Sequence, residues 1–289
     1  MSSSSVETSY GVSSNVARLR RVLVRTPATE GDFAAAGWRQ PDPTVLLRQH
    51  AAFCELLSDL GCDVVVAPAA EGQVDACYAY DSAFTISDGA IVLRSAKPAR
   101  QGEWEPAAEA LEAAGVPVLA HLDGDATADG GDMVFLDSRT LVVGRGYRTN
   151  AAAHRQIDAL LAPRGVALER VDLVHDLGPA HVLHTMSFIS PIADDLAVVF
   201  ERLLPVPLVE LLRERGIRTI PVDEDEYLTM ACNVLPVRPG VVVVVDGNPK
   251  ARRAMEAAGV EVHAYDGSEI SLKGDGGPTC LTRPIWRRD

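Results

Sequence analysis

Basic residues are in short supply in this 289-residue chain: 27 Lys and Arg stand against 40 Asp and Glu, for a formal net charge of −13 and a pI near 5.0. A surface of that sign repels phosphates and anionic lipid, so neither nucleic acid nor a membrane is expected as a partner. A small cation is compatible with it. Long hydrophobic runs are missing too, since the longest, between Gly240 and Asp246, is far too short to cross a bilayer. The serine-rich start Met1–Ser5 lacks the charged and apolar regions of a secretory signal. A cytoplasmic protein is expected, with residues 1–15 as a flexible N-terminal tail and residues 16–289 as one domain. Aromatic residues make up only 5%, and Trp38, Trp104 and Trp286 are too scattered for a base-stacking surface. The five cysteines, Cys54, Cys62, Cys77, Cys232 and Cys280, are odd in number and form no C-x-x-C pair. That argues against a disulfide framework and fits a reducing compartment. The seven histidines show no H-x-x-x-H, so zinc is not expected; His181 and His184, three apart, come nearest to a metal spacing. No metal and no cofactor are expected, and a homo-oligomer is compatible with everything so far.

What is present is a repeat. Five times an amphipathic helix ends in Gly and is followed at once by an apolar strand, with the glycines at 61, 115, 165, 216 and 259, that is, 43 to 54 residues apart. Each Gly sits where a left-handed cap would end a helix. The strands that follow read Val64–Val66, Val116–Leu119, Val166–Leu168, Ile217–Val222 and Val260–Ala264. A second apolar strand precedes each helix: Arg21–Arg25, Ala90–Arg94, Thr140–Gly144, Leu196–Phe200 and Val241–Asp246. A period near 50 residues points to a radial or solenoid array of α/β units. A doubly wound α/β sheet also alternates strands with Gly-capped helices, and the pattern alone leaves both open. In a closed array, functional residues should come from loops of several repeats.

Polar clusters interrupt the apolar repeats at Asp75–Asp81, Lys97–Glu103, Asp129–Met133, Gly144–Asn150 and His181–Ser187. Near the C-terminus the stretch Lys273-Gly-Asp-Gly-Gly-Pro-Thr-Cys280 holds three glycines and a proline, so it forms a shaped loop that can approach a ligand closely. Cys280 at its end is either a nucleophile or a small buried residue. With His184 and the carboxylates, the clusters supply a thiol, a proton-transfer base and anions that could hold a cation. Cys54, Cys62 and Cys232 read as core, Asn233 as able to reach the cavity, and the acidic run Asp223–Glu226 as a solvated loop.

The order Asp-x5-Asp (Asp75, Asp81), Arg-x-Gly-Glu (Arg100 to Glu103), Asp-Gly-Gly-Asp (129–132), Arg-Thr-Asn (148–150), Leu-His (183–184) and Gly-Gly-Pro-Thr-Cys (276–280) resembles the guanidino-group-modifying superfamily. It is most similar to the dimethylarginine dimethylaminohydrolases and their arginine-deiminase relatives. The resemblance implies a five-bladed α/β propeller around a central cavity, which agrees with the repeat count. It implies Cys280 as nucleophile, His184 as general acid/base and Asp129 as catalytic carboxylate. Asp81 would be a second guanidinium carboxylate, Arg100 and Arg148 would hold the substrate's α-carboxylate, and Asp75 would contact its amino end. The implied partner is a small cationic guanidine, most simply a methylated arginine converted to citrulline and an alkylamine.

Two positions depart from the family pattern. Methylarginine hydrolases usually read Glu-Asp where this chain has Tyr80-Asp81, and deiminases and amidinotransferases place an Asp two residues after the His, where Met186 stands. An arginine-deiminase-like hydrolase, an amidinotransferase and a non-catalytic amino-acid binder are the other readings.

Overall fold

The computed structural model describes residues 9–288. It contains five three-stranded sheets, each built on one plan. The first module holds β1 (Leu19–Arg25), α1 (Pro43–Asp59) and β2 (Asp63–Ala67). The second holds β3 (Ala83–Ile86), β4 (Gly89–Val92), α2 (Trp104–Ala113) and β5 (Val118–His121), and the third β6 (Met133–Asp137), β7 (Thr140–Arg145), α3 (Ala151–Leu161) and β8 (Ala167–Asp172). The fourth opens on a short α4 (Thr185–Phe188), then β9 (Ile189–Ala193), β10 (Leu196–Val199), α5 (Val206–Glu214) and β11 (Arg218–Pro221). The fifth has α6 (Glu224–Tyr227), β12 (Leu235–Arg238), β13 (Val241–Val245), α7 (Pro249–Ala257) and β14 (Glu261–Tyr265), and the last strand is β15 (Thr282–Arg287).

In every sheet the middle strand pairs antiparallel with one neighbour and parallel with the strand beyond its helix. The first sheet takes its antiparallel strand from the other end of the chain, with β15 running against β1 from Leu19↔Arg287 to Val24↔Thr282. That pairing closes the ring, and the antiparallel strands of neighbouring modules touch, β3 against β15 and β9 against β12. The fold is the five-module pentein architecture, the α/β propeller of the expectation.

Local chemistry accounts for the plan. The middle strands are apolar runs buried on both faces, as strands between a helix layer and neighbours must be. The outermost strands β8, with Glu169, Arg170 and Asp172, and β11, with Arg218 and Pro221, are largely exposed, and charge and proline there blunt a free edge. Asp42 caps α1 by accepting from Thr44 N at 2.8 Å and Val45 N at 3.0 Å ahead of Pro43. The helix then buries Leu46, Phe53 and Leu57. All five helix-ending glycines have φ between 68° and 87°, the left-handed region that an L side chain enters at a cost.

Residues 1–8 of the stretch set apart as a tail lie outside the described residues. Residues 9–15 are held in place: Gly11 N donates to Ile285 O and Val12 N to Ile86 O, and the Asn15 amide oxygen accepts from Phe135 N at 2.8 Å. The acidic run at 223–226 is not simply solvated. Glu226 is buried, and its carboxylate accepts from Lys250 N and Ala251 N at the start of α7, where a negative charge satisfies helix donors.

Candidate active site

Each polar cluster lies on a loop next to the strand that opens or follows the middle of a module, so the ring gathers them on one face. The Cys280 loop precedes β15. Asp81 precedes β3, Asp129 precedes β6 and His184 precedes β9.

The core of the site is an imidazole among carboxylates. His184 Nε2 lies 3.1 Å from Asp129 Oδ2, and its Nδ1 faces Asp81 Oδ1 at 3.8 Å. Asp81 Oδ1 also accepts from Gly131 N at 2.9 Å. The Asp-Gly-Gly-Asp motif is explained by crowding: a Cβ on Gly131 would fall 2.5 Å from His184 Nδ1, and one on Gly130 would run into Tyr80 O. Its last residue, Asp132, accepts from Thr149 Oγ1 at 2.6 Å and Thr185 N at 3.0 Å, tying the third module to the helix start beside His184.

Burial by itself would lower the His184 pKa, but Asp81, the hydrogen bond to Asp129 and the Asp132 charge outweigh it, and the imidazole is raised to about 9. Asp129 is pushed up by burial, and its hydrogen bond and charge pairing with His184, helped by Arg100 and Arg148, pull it the other way and win. The pair is thus an imidazolium facing a carboxylate. Asp129 Oδ1, wholly buried, has no hydrogen-bond partner among the described residues.

Cys280 is partly exposed, and its Sγ receives the Asn233 Nδ2 amide at 3.1 Å. Burial and then the Asp81 charge raise the thiol to about 11, with Asn233 and the Gly277 backbone acting in the opposite sense. The thiol form is therefore favoured at rest.

The remaining expected residues fall in two groups. Arg148 points one Nη at Asp129, 3.5 Å away, its one hydrogen bond among the described residues, so the rest of its fork is uncommitted. Arg100 is fully committed to its own chain. Its Nη1 meets Asp81 Oδ2 at 2.5 Å, its Nε and Nη2 meet Glu103 Oε2 at 2.9 and 2.8 Å, and Nη2 reaches Tyr78 O at 3.0 Å. Its place is behind Asp81, holding that carboxylate, and Ser82 Oγ braces Glu103 at 2.8 Å. Asp75 is likewise spent: Oδ1 takes Trp38 Nε1 at 2.7 Å and Oδ2 takes Lys97 Nζ at 2.5 Å. In Arg-Thr-Asn, only Arg148 faces the site, while Asn150 caps α3 through Ala153 N at 3.0 Å. Tyr80 does not stand in for an acid, since its ring lies under the Arg283 guanidinium, 3.9 Å from centroid to Cζ. Met186 is buried with the core of the fourth and fifth modules. Glu103 and Asn233 are the contributors least visible beforehand; Glu103 was signalled only by the Arg-x-Gly-Glu spacing.

Asp81, Asp129 and His184 each bring one ligand atom to within 4.8 Å of the others. That spacing would suit a metal ion, but Arg100 and Arg148 already add positive charge there, and an organic cation that donates hydrogen bonds fits an unpaired carboxylate oxygen better. A cavity of about 180 Å³ lies against Asp81, Arg94, Arg100 and Glu103.

The chain is similar in sequence and fold to known proteins. A family model described as arginine deiminase matches residues 169–287. The chain is 28% identical over 201 residues to the N(G),N(G)-dimethylarginine dimethylaminohydrolase of Streptomyces coelicolor, covering 65% of this chain and 75% of that protein. It is 24% identical over 252 residues to the arginine deiminase of Listeria welshimeri, covering 72% of this chain but only 61% of that longer protein. Among solved structures, a cysteine-to-serine mutant of the dimethylarginine dimethylaminohydrolase from Pseudomonas aeruginosa, complexed with citrulline, superposes with a TM-score of 0.77 at 23% identity, over 93% of this chain and 100% of that one. With the five-module ring and the sequence matches in agreement, the chain resembles proteins of the guanidino-group-modifying pentein superfamily in fold and in sequence.

Proposed function

We propose that this protein is a cysteine hydrolase that breaks a C–N bond of a guanidino amino acid, with N-methylated arginine as the first candidate substrate and citrulline and an alkylamine as products. One observation carries the reading. Two carboxylates, on Asp81 and Asp129, converge with the His184 imidazolium within 4.8 Å, and Asp129 Oδ1 is left unpaired though wholly buried, beside a thiol that senses the Asp81 charge. A buried carboxylate oxygen without a donor is costly, and a guanidinium supplies the missing N–H.

The chemistry follows from the charges. A guanidinium bound between Asp81 and Asp129 offsets the Asp81 charge that helps keep Cys280 protonated, so substrate binding itself favours release of the thiol proton to solvent and leaves the thiolate. The thiolate attacks the central carbon of the guanidinium, forming a C–S bond. As the C–N bond breaks, the protonated His184 gives its proton to the departing amine and leaves a covalent thiouronium. Neutral His184 then takes a proton from water as the oxygen attacks the same carbon. The C–S bond breaks, the sulfur leaves as thiolate, and the ureido product is released. Arg148, with donors to spare, is the arginine suited to the substrate carboxylate.

A second reading, removal of ammonia from unmodified arginine, is favoured by the arginine deiminase model over residues 169–287. Citrulline formation from asymmetric dimethylarginine, monomethylarginine and arginine in parallel, with Cys280→Ser as the blank, tests both. Turnover of methylated substrates alone supports the first reading and turnover of arginine the second. Neither citrulline nor any amine from a broader guanidine panel would sink both.

A further inference from the structure

The nucleophile has a neighbour that the motifs do not include. Asn233 lies on the turn between α6 and β12, 47 residues before Cys280, and its Nδ2 is 3.1 Å from Sγ. The orientation of that amide is not arbitrary. Its Oδ1 accepts from Thr279 N at 3.0 Å, and a backbone N–H can only donate, so the NH2 end must face the sulfur. The turn itself is pinned: Asn233 N donates to Met230 O at 3.0 Å, and Thr279 Oγ1 donates to Val234 O at 3.0 Å. Ser190 Oγ closes the other side, donating to Cys232 O at 2.7 Å and accepting from Val234 N at 3.2 Å. The glycine two residues before Thr279 is shaped for the same contact, because a Cβ on Gly277 would fall 2.5 Å from the Asn233 side chain. Among the described residues, Sγ is the one partner of Nδ2.

We propose that Asn233 is a further catalytic residue of this site, a fixed hydrogen-bond donor that stabilises the Cys280 sulfur as the thiolate present before attack and again when it leaves. The inference rests on Cys280 being the nucleophile. A neutral amide suits this role, because a cation in its place would pair with Asp81 and an anion would oppose the thiolate. The donor gains most in the step where the sulfur carries a full negative charge, since a hydrogen bond to an ion is about twice as strong as a neutral one.

The decisive experiment is the pH dependence of Cys280 alkylation by iodoacetamide, a neutral reagent that reads the thiolate without needing a substrate, with Cys280→Ser as the blank for the other cysteines. Asn233→Asp keeps an acceptor for Thr279 N, and so the loop, but replaces the donor by an anion. Asn233→Ala removes both without adding charge. In both, the inflection of the alkylation profile should move to higher pH, with a rate at pH 8 lower by about tenfold for each unit moved, and citrulline formation should fall with it. A folded variant of either kind with an unmoved profile and full turnover would overturn the proposal, as loop disorder alone would lower turnover without shifting the inflection. Turnover by Cys280→Ser would instead remove the nucleophile assignment beneath it, whatever the alkylation profile does.

Discussion

Replacing Asp129 by Asn preserves the shape of the residue and removes the charge that faces His184 at 3.1 Å. Burial pulls the imidazole down, and Asp81, Asp129 and Asp132 together lift it to about 9. Opposite charges within reach are worth about 1–3 pKa units, and because Asp81 and Asp132 remain, the loss of Asp129 should bring His184 down by about 1–2 units. A histidine raised in the folded state contributes stability that is present in full below its unfolded value of 6.5 and is lost as pH rises through about 9. For the wild type this contribution is on the order of 3 kcal/mol. In Asp129→Asn it should be smaller and gone at lower pH. The His184 Cε1–H resonance, assigned with His184→Asn, would be titrated by NMR in both proteins, and urea unfolding would be measured at pH 6, 8 and 10. Turnover of the best substrate should also fall by about 10²–10³, the usual result of removing one preorganised partner of a charged centre. An NMR midpoint that stays in place on losing Asp129 would refute this account of the imidazolium.

Two further substitutions separate steric from electrostatic roles. Gly131→Ala puts a methyl 2.5 Å from His184 Nδ1 and 3.0 Å from Asp81 Oδ1; kcat should drop by about 10²-fold, the scale of a 1 Å misplacement, with far-UV circular dichroism unchanged, and a kcat within twofold of wild type would contradict the crowding. Arg100→Lys keeps the charge but not the planar fork, leaving Glu103 and Tyr78 O short of donors, so urea unfolding should show a loss of about 1–3 kcal/mol, as for buried acceptors left unsatisfied. If Arg100 held the substrate carboxylate instead, KM would rise while stability stayed put.

Much of the fold was legible because its repeating signals are local. A helix that ends in Gly and is followed by an apolar strand needs only neighbours in sequence to be recognised, and all five such units at 61, 115, 165, 216 and 259 are present. The antiparallel strands β3, β6, β9, β12 and β15 were not anticipated, since they are short and their partners are set by packing rather than by an individual periodicity. Ring closure is the extreme case: Leu19 meets Arg287, a pairing across nearly the whole chain that no local pattern encodes. The site divides in the same way. Residue types and motif order made Cys280, His184, Asp129 and Asp81 candidates, because thiol, imidazole and carboxylate chemistry belongs to the side chain itself. What an arginine or asparagine does depends on which partners the fold brings to it. Arg100 turns inward to Asp81 and Glu103, Asp75 is taken up by Trp38 and Lys97, Asn150 caps a helix, and Asn233, ordinary in sequence, meets the sulfur. Composition and motifs by themselves determined the kind of chemistry this chain can carry, and the closed ring of five modules decided which polar groups are spent on structure and which remain free for a substrate, because hydrogen bonds between distant loops exist only once the ring has closed.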